Sequence, residues 1–133
     1  FIINSSAEEI LEGLEGLHSM AGDHGSARVV VTIPEATFTV CYRVTLQSAE
    51  LFAQSLFPKA DEYNQTRRTI NTGLRNYAER NDLLLVDLEK EIPHLSLTDD
   101  QKSMWDDDLH FSPAGYDRFG ALIFDALQKA ETP

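Results

Sequence analysis

Two short apolar runs constrain the fold of this chain more than any other feature. The first, RVVVTI at 28–33, is rich in β-branched residues and does not alternate with polar ones. The second, LLLVDL at 83–88, has the same character. Such runs are typical of strands buried on both faces of a parallel sheet. Because parallel strands need a long crossover connection, usually a helix, the sequence predicts an α/β fold.

A capping box predicts the start of the first helix. Ser6 is followed three residues later by Glu9, and apolar residues then recur at helical spacing, so we expect a helix over about 7–21. Glycines at 22 and 25 end it. Its apolar face consists of Ile10, Leu14, Leu17 and Ala21.

The connection between the two apolar runs contains a second helical pattern, over about 62–80. Asp61 is the predicted cap, and Gly73 weakens the middle of the helix because glycine is a poor helix former. The apolar positions that define the face are Tyr63, Ile70, Leu74, Tyr77 and Ala78.

A third helix is predicted to start at a serine and proline pair. Ser112 has the character of a cap, and the proline after it suits the first helical position, so the helix should run to about Lys129. We expect its inner face to consist of Phe119, Ile123, Ala126 and Leu127.

The segment between the first strand and the second helix is harder to place. Alternation over 38–44 predicts a half-buried strand, and a short helix follows over about 49–57. Two short parallel strands leave unpaired edges, and small sheets of this kind need more strands. We expect either the strand at 38–44 together with another copy of the chain, or a preceding segment, to supply them.

Charge and composition exclude some classes of binding partner from the expected ones. The formal net charge is −11, and the longest basic run is Arg67-Arg68, so neither nucleic acid nor an acidic membrane surface is an expected partner. No apolar run is long enough to span a membrane. The only cysteine, Cys41, cannot form an internal disulfide, which favours a reducing, cytoplasmic compartment. Since the chain opens on Phe1 without a methionine, we expect that Phe1 is not its natural start.

One short stretch carries the residues of a catalytic site. Asp107 and His110 stand three residues apart directly before the last helix, within the sequence DDDLHFSPAGY. A local turn would bring the carboxylate to one imidazole nitrogen and leave the other facing a cleft. That is the arrangement of an orienting carboxylate and a general base. The alternative interpretation is a solvated acidic loop with an ordinary histidine.

The order of several motifs resembles the C-terminal half of the SGNH hydrolases, also called the GDSL esterase and lipase family. The motifs are a strand ending in Val86-Asp87, a loop, Asp-x-x-His at 107–110, a small residue and proline, and Gly115-Tyr116 in the opening turn of the last helix. SAEEILEGLEGLHSM and VVVTIPE are similar to the helix and strand that precede these motifs in the family.

The resemblance implies a fold and an activity. It implies a flavodoxin-like three-layer α/β/α sandwich with parallel strands, incomplete in this chain, so that 1–133 is a single partial domain with an unmatched insertion at about 36–58. It further implies that His110 is the catalytic base for hydrolysis of an ester substrate and that Asp107 orients it. No metal or organic cofactor is required by that chemistry.

The departures from the family pattern concern the nucleophile. The family's Gly-Asp-Ser block, its later glycine and its Gly-x-Asn-Asp block have no counterpart here. Asn4 stands near the position of the asparagine, but Ile2 and Ser5 replace its partners, so its role is not carried over. Cys41 is an alternative nucleophile, although an alternating strand offers nothing that lowers a thiol pKa. The serines are more typical of helix caps and loops.

Two hypotheses from different classes follow. In the first, the chain is the C-terminal part of a serine esterase and needs a missing N-terminal half to supply the serine. In the second, it is an inactive truncation that acts as a homo-oligomerising or binding module, with another copy of the chain as its partner.

The remaining candidates have ordinary structural interpretations. His18, Asp23 and His24 could bind a metal, but the end of a helix is a common place for such residues. Trp105 either lines an acyl pocket or packs under the acidic loop. We expect no special role for His94, and we expect Arg67 and Arg68 to form solvated ion pairs.

Overall fold

The computed structural model describes residues 5–35, 60–94, 99–107 and 109–131. The strand predicted at 38–44 and the helix predicted at 49–57 lie outside these ranges. Within them the fold is mixed α/β and mostly helical. The elements in chain order are α1 (Ala7–Asp23), β1 (Val29–Val31), α2 (Ala60–Arg80), β2 (Leu84–Val86), α3 (Leu88–Glu91), α4 (Asp99–Lys102) and α5 (Pro113–Glu131).

The two strands form a small parallel sheet, as predicted. Val30 of β1 pairs with Leu85 of β2, and the neighbouring residues continue the register on either side. Beyond the strand, the Thr32 amide donates to the Val86 carbonyl at 3.1 Å. Each strand is shorter than its apolar run: the first run continues past β1 to Ile33, and the second ends in Leu88, the first residue of α3. In the described ranges, α2 belongs to the connection that the parallel pairing requires.

The first helix begins at the predicted capping box and ends at Asp23, so Gly22 lies inside the helix and Gly25 follows it. The Ser6 hydroxyl accepts from the Glu9 amide at 3.2 Å, and the Glu9 carboxylate accepts from the Ser6 amide at 2.8 Å, so the capping box is confirmed. After the helix, Gly25 adopts a φ of +72°. The Ser26 amide then donates to the Ala21 carbonyl at 3.1 Å, which closes the helix end.

Apolar residues on the two faces of the sheet pack into two cores. Val30 packs with α1 and α2, in a cluster completed by Ala7, Ile70, Leu74, Tyr77 and Ala78. On the opposite face, Val29, Val31 and Val86 pack with α5 and with Leu88, Ile92 and Trp105. Because successive strand residues point to opposite faces, helices cover the sheet on both sides. None of the helices in the described ranges has the length and hydropathy to cross a membrane.

The inner face of α5 differs slightly from the prediction. Phe119, Ile123 and Ala126 pack against the second core as expected, and Leu122 packs there too. Leu127 is only half-buried and is not part of that core. The α2 prediction also needs one correction, since the helix begins at Ala60 and Asp61 therefore lies inside it rather than at its cap.

Gly73 has a packing role that cannot be inferred from the low helix propensity of glycine. A Cβ at this position would lie 2.3 Å from the Leu11 Cδ1 atom of α1. The missing side chain therefore lets α1 and α2 approach closely. The propensity cost of a glycine in a helix is offset by the contact between the two helices.

A buried amide side chain fastens α2 to the chain after β1. Asn71 is fully buried; its Oδ1 atom accepts from the Ile33 amide and its Nδ2 atom donates to the Ile33 carbonyl, both at 2.8 Å. The side chain thus completes the backbone hydrogen bonds of a residue that has left the sheet. Its two bonds fix the direction in which the chain departs from β1.

We predict that Asn71→Ala lowers the free energy of unfolding by about 1 to 3 kcal/mol, because it removes a fully buried side chain and leaves the part-buried amide and carbonyl of Ile33 without that partner. Asn76→Ala on the same helix is the matched control, since Asn76 is exposed and its loss should change stability by less than about 0.5 kcal/mol. Urea unfolding of the three proteins measures both effects. Equal stabilities for the two variants would contradict the role given to Asn71.

Candidate functional site

The acidic loop before α5 is closed by backbone contacts on both sides. Trp105 and Phe111 form an antiparallel bridge, and the Asp106 amide donates to the His110 carbonyl at 2.9 Å. The Ser112 amide then donates to the Met104 carbonyl at 3.0 Å. These bonds hold Asp107 and His110 in one tight turn at the start of α5. Asp108 lies outside the described residues.

The structure brings Asp107 and His110 together as the sequence predicts. The Oδ2 atom of Asp107 lies 2.8 Å from the Nδ1 atom of His110. Its Oδ1 atom accepts from the amides of Leu109 and His110, both at 2.7 Å. Three hydrogen bonds therefore fix the carboxylate, and the imidazole is fixed in turn by the carboxylate. This is the geometry in which an aspartate orients a histidine for proton transfer.

The electrostatics of the pair keep the aspartate ionised. The hydrogen bond from the His110 side chain, together with the amides of His110 and Leu109, lowers the pKa of Asp107 from 3.8 to about 2. An ionised carboxylate can only accept hydrogen bonds, so Nδ1 of His110 is the donor. In the neutral imidazole, Nε2 is then left without a proton and can act as a base. The His110 side chain is 64% exposed and open to a ligand.

Aromatic packing supports the turn from below. Trp105 is buried, and its ring packs against those of His94 and Phe111, with centroids 4.5 Å away in each case. The indole Nε1 atom donates to the Pro93 carbonyl at 3.2 Å. Trp105 therefore packs under the acidic loop, which was one of the two interpretations of its sequence position.

His94 is a part of the site that the sequence did not reveal. It is buried, its Nε2 atom lies 3.4 Å from the Asp107 carbonyl oxygen, and its amide donates to Glu35 at 3.1 Å. His94 thus links the chain after β1 to the turn that carries the pair of Asp107 and His110, which we call the dyad. Its packing role was not foreseen from the sequence, which predicted no special role for it. No local pattern marks it, because its partners lie 13 and 59 residues away along the chain.

Ser112 caps α5, as predicted. Its hydroxyl accepts from the Gly115 amide at 3.3 Å and donates to the Ser103 carbonyl at 2.5 Å. Ser6 caps α1 in the same way. Both hydroxyl groups are therefore engaged in structure rather than placed as nucleophiles beside His110.

A second polar cluster lies where the two strands end. Asp87 accepts two hydrogen bonds from Arg75, at 2.8 Å each, and one from Thr32 at 3.1 Å. Glu89 accepts from Arg75 at 2.6 Å and also from Arg67. Burial raises the pKa of Asp87, but the hydrogen bonds of Arg75, Lys90 and Thr32 outweigh it and lower the pKa to about 2.

The expectation of a solvated Arg67 is wrong, because the side chain is only 8% exposed. Arg67, Asn71 and Arg75 recur every four residues, so they lie on one face of α2. That spacing, opposite two acids that follow a predicted strand, is the sequence signal that could have revealed the cluster. Arg68 is exposed, as a solvated ion pair would require.

The other sequence candidates are not brought together. The His18 ring packs edge-on against Tyr77, with centroids 5.6 Å apart. Within the described ranges, no group of three or more histidine, cysteine or acidic side chains could hold a metal ion, and the set of His18, Asp23 and His24 is no exception. Cys41 and Asn4 lie outside the described residues.

The comparisons with known proteins assign no family. No model of a known protein family matches the sequence, and no curated protein is significantly similar to it. Function is therefore inferred from the side chains and their geometry.

Gly115 tests how tightly α5 holds the dyad turn. A Cβ on this residue would lie 2.1 Å from the Met104 carbonyl oxygen and 2.9 Å from the Phe111 Cβ atom. We predict that Gly115→Ala lowers the free energy of unfolding by about 1 to 3 kcal/mol, because the added methyl group displaces backbone. Gly120→Ala is the matched control on the same helix, where a Cβ meets open space. This substitution should raise the free energy of unfolding by about 0.5 to 1 kcal/mol. A Gly115→Ala protein that is as stable as the wild type in urea unfolding would contradict the close packing at this position.

The titration of Asp107 tests the dyad directly. Because its folded-state pKa of about 2 lies below the ordinary 3.8, its hydrogen bonds stabilise the turn fully above pH 3.8 and lose that effect as the pH falls towards 2. At pH 3.8, the ¹³C resonance of the carboxyl group should still report a nearly fully ionised side chain. His110→Ala should move the midpoint upwards. Half protonation at pH 3.8 in the wild type would disprove the interaction.

Proposed function

We propose that this chain is the C-terminal part of an SGNH-type serine esterase or acyl hydrolase and supplies the catalytic His110 and its supporting Asp107. The observation that carries the proposal is the 2.8 Å contact between Asp107 Oδ2 and His110 Nδ1, with the imidazole exposed. The two amide bonds to Asp107 are those of an ordinary Asx turn, so the contact with the ring nitrogen is what favours an orienting role over a solvated acidic loop.

The fold is consistent with this proposal. Parallel strands with helices on both faces are the core of a flavodoxin-like three-layer α/β/α sandwich, which we propose as the complete domain. Asp87 and His94 follow β2, and His94 contacts the dyad turn. This contact, made by a residue that follows the end of β2, supports a position for Asp107 and His110 near the carboxyl ends of the strands, where open α/β sheets bind their ligands.

The proposed reaction is acyl transfer through a serine outside this chain. The Nε2 atom of His110 takes the serine proton as the hydroxyl attacks the ester carbonyl, and later returns it to the leaving alcohol. Asp107 holds the imidazole and stabilises the imidazolium that forms. Hydrolysis of the acyl-enzyme by water repeats the same proton transfers. Every step uses side chains, so no metal or organic cofactor enters the mechanism.

In the complete protein, His110→Ala should lower kcat/KM for a short-chain ester such as p-nitrophenyl acetate by about a thousandfold or more, because the reaction loses its general base. His24→Ala is the control, since His24 is an exposed residue at the end of α1 and its loss should leave kcat/KM unchanged. Undiminished hydrolysis in the His110→Ala protein would remove His110 from the mechanism.

A second function, a homo-oligomerising module derived from the same fold, is favoured by exposed apolar side chains on α1. Leu17 and Met20 are 63% and 62% exposed. Contiguous exposed apolar surface is typical of protein interaction sites. Native mass spectrometry separates the two functions: a homo-oligomer of this chain alone supports the module, and a complex with a different polypeptide supports the divided esterase.

A further inference from the structure

Arg67 has hydrogen-bonding capacity that the polar cluster leaves unused. The residue is 7% exposed, and its Nη1 atom donates to the Glu89 carboxylate. Its Nε and Nη2 atoms are also buried, yet they have no hydrogen-bond partner among the described residues. Buried donors without partners are costly and uncommon, so they call for an explanation such as a bound ion.

The two unused atoms form one edge of the guanidinium plane. Their N–H bonds run parallel, which matches the spacing of two oxygens on a carboxylate or phosphate. Arg75 shows the same edge in use: its Nε and Nη2 atoms donate to the two oxygens of Asp87, at 2.8 Å each. Arg67 therefore presents the edge that Arg75 uses, without the carboxylate.

The cluster leaves Arg67 short of hydrogen-bond partners rather than of charge. Lys90, which also contacts Asp87, is 72% exposed, so the buried groups are two arginines and two carboxylates, those of Asp87 and Glu89. Asp87 accepts both of its arginine hydrogen bonds from Arg75, and Glu89 is shared by the two arginines. Among the described residues, Arg67 therefore meets a carboxylate through Nη1 alone, and an oxyanion on its other edge would satisfy the two remaining donors.

The cluster lies where small ligands bind in this type of sheet. Glu89 follows the end of β2, and its amide donates to the Thr32 hydroxyl beyond the end of β1 at 3.2 Å. The carboxyl ends of parallel strands are the usual ligand-binding edge of an open α/β sheet. Arg67 is thus anchored at that edge by its bond to Glu89.

We propose that the Nε and Nη2 edge of Arg67 is a binding site for a small oxyanion of the carboxylate or phosphate class. Two parallel hydrogen bonds hold the anion, and the shared Glu89 keeps the guanidinium in place. This binding site is independent of ester hydrolysis and of the missing serine. It needs neither His110 nor Asp107.

The test uses this chain and two probes, inorganic phosphate and acetate, each titrated at constant ionic strength against chloride. The ¹H–¹⁵N resonances of the arginine Nε–H groups report binding at individual guanidinium groups. We expect the Arg67 resonance to shift saturably with at least one probe, and the comparison of the two decides between phosphate and carboxylate. Absence of a saturable shift with both probes overturns the proposal, and this result needs no variant.

Matched variants identify the binding group. Arg67→Lys retains the charge beside Glu89 but removes the planar edge, so the Kd of the preferred probe should rise about tenfold or more. Arg68→Lys makes the same change at the exposed neighbour and should leave the Kd within about twofold. Unchanged affinity in Arg67→Lys, or an equal loss in both variants, would show that the anion binds elsewhere or by general charge alone.

Discussion

The bidentate ion pair between Arg75 and Asp87 is the interaction on which the rest of the structure depends. Asp87 follows β2 and also accepts a hydrogen bond from Thr32, which follows β1, so a single carboxylate ties α2 to the ends of both strands. The pair retains its charge, because the hydrogen bonds that Asp87 accepts outweigh the effect of burial on its pKa. Loss of either partner would leave an unpaired charge in a poorly hydrated place. The free energy lost would then exceed what the ion pair itself contributes.

The dyad turn depends on that end of the sheet through a short series of contacts. The chain leaves Asp87 through α3 to Ile92, which is fully buried, and then to Pro93, whose carbonyl accepts from Trp105. Trp105 and His94 pack under the turn and leave the His110 ring exposed above it. Proton transfer needs this support, because a general base must be held within hydrogen-bond reach of the proton that it accepts.

Local features of the structure and the parallel pairing of the two apolar runs could be predicted from the sequence, whereas the long-range side-chain contacts could not. The capping box at Ser6, the cap at Ser112 and the contact of Asp107 with His110 each involve residues three positions apart, so their patterns are visible in the chain. The burial of Arg67 depends on Glu89, 22 residues away, and the role of His94 depends on packing between loops. Such contacts follow from the tertiary fold, which local periodicity does not specify.

The central claim is that His110 presents an unprotonated Nε2 atom because ionised Asp107 holds the proton on Nδ1. The ¹⁵N chemical shifts of the His110 ring, measured at a pH where the imidazole is neutral, test this most directly. The account predicts a protonated Nδ1 and an unprotonated Nε2, and a change in this tautomer preference in Asp107→Asn. A wild-type ring with its proton on Nε2 would contradict the account, because that nitrogen could not accept a proton from a nucleophile.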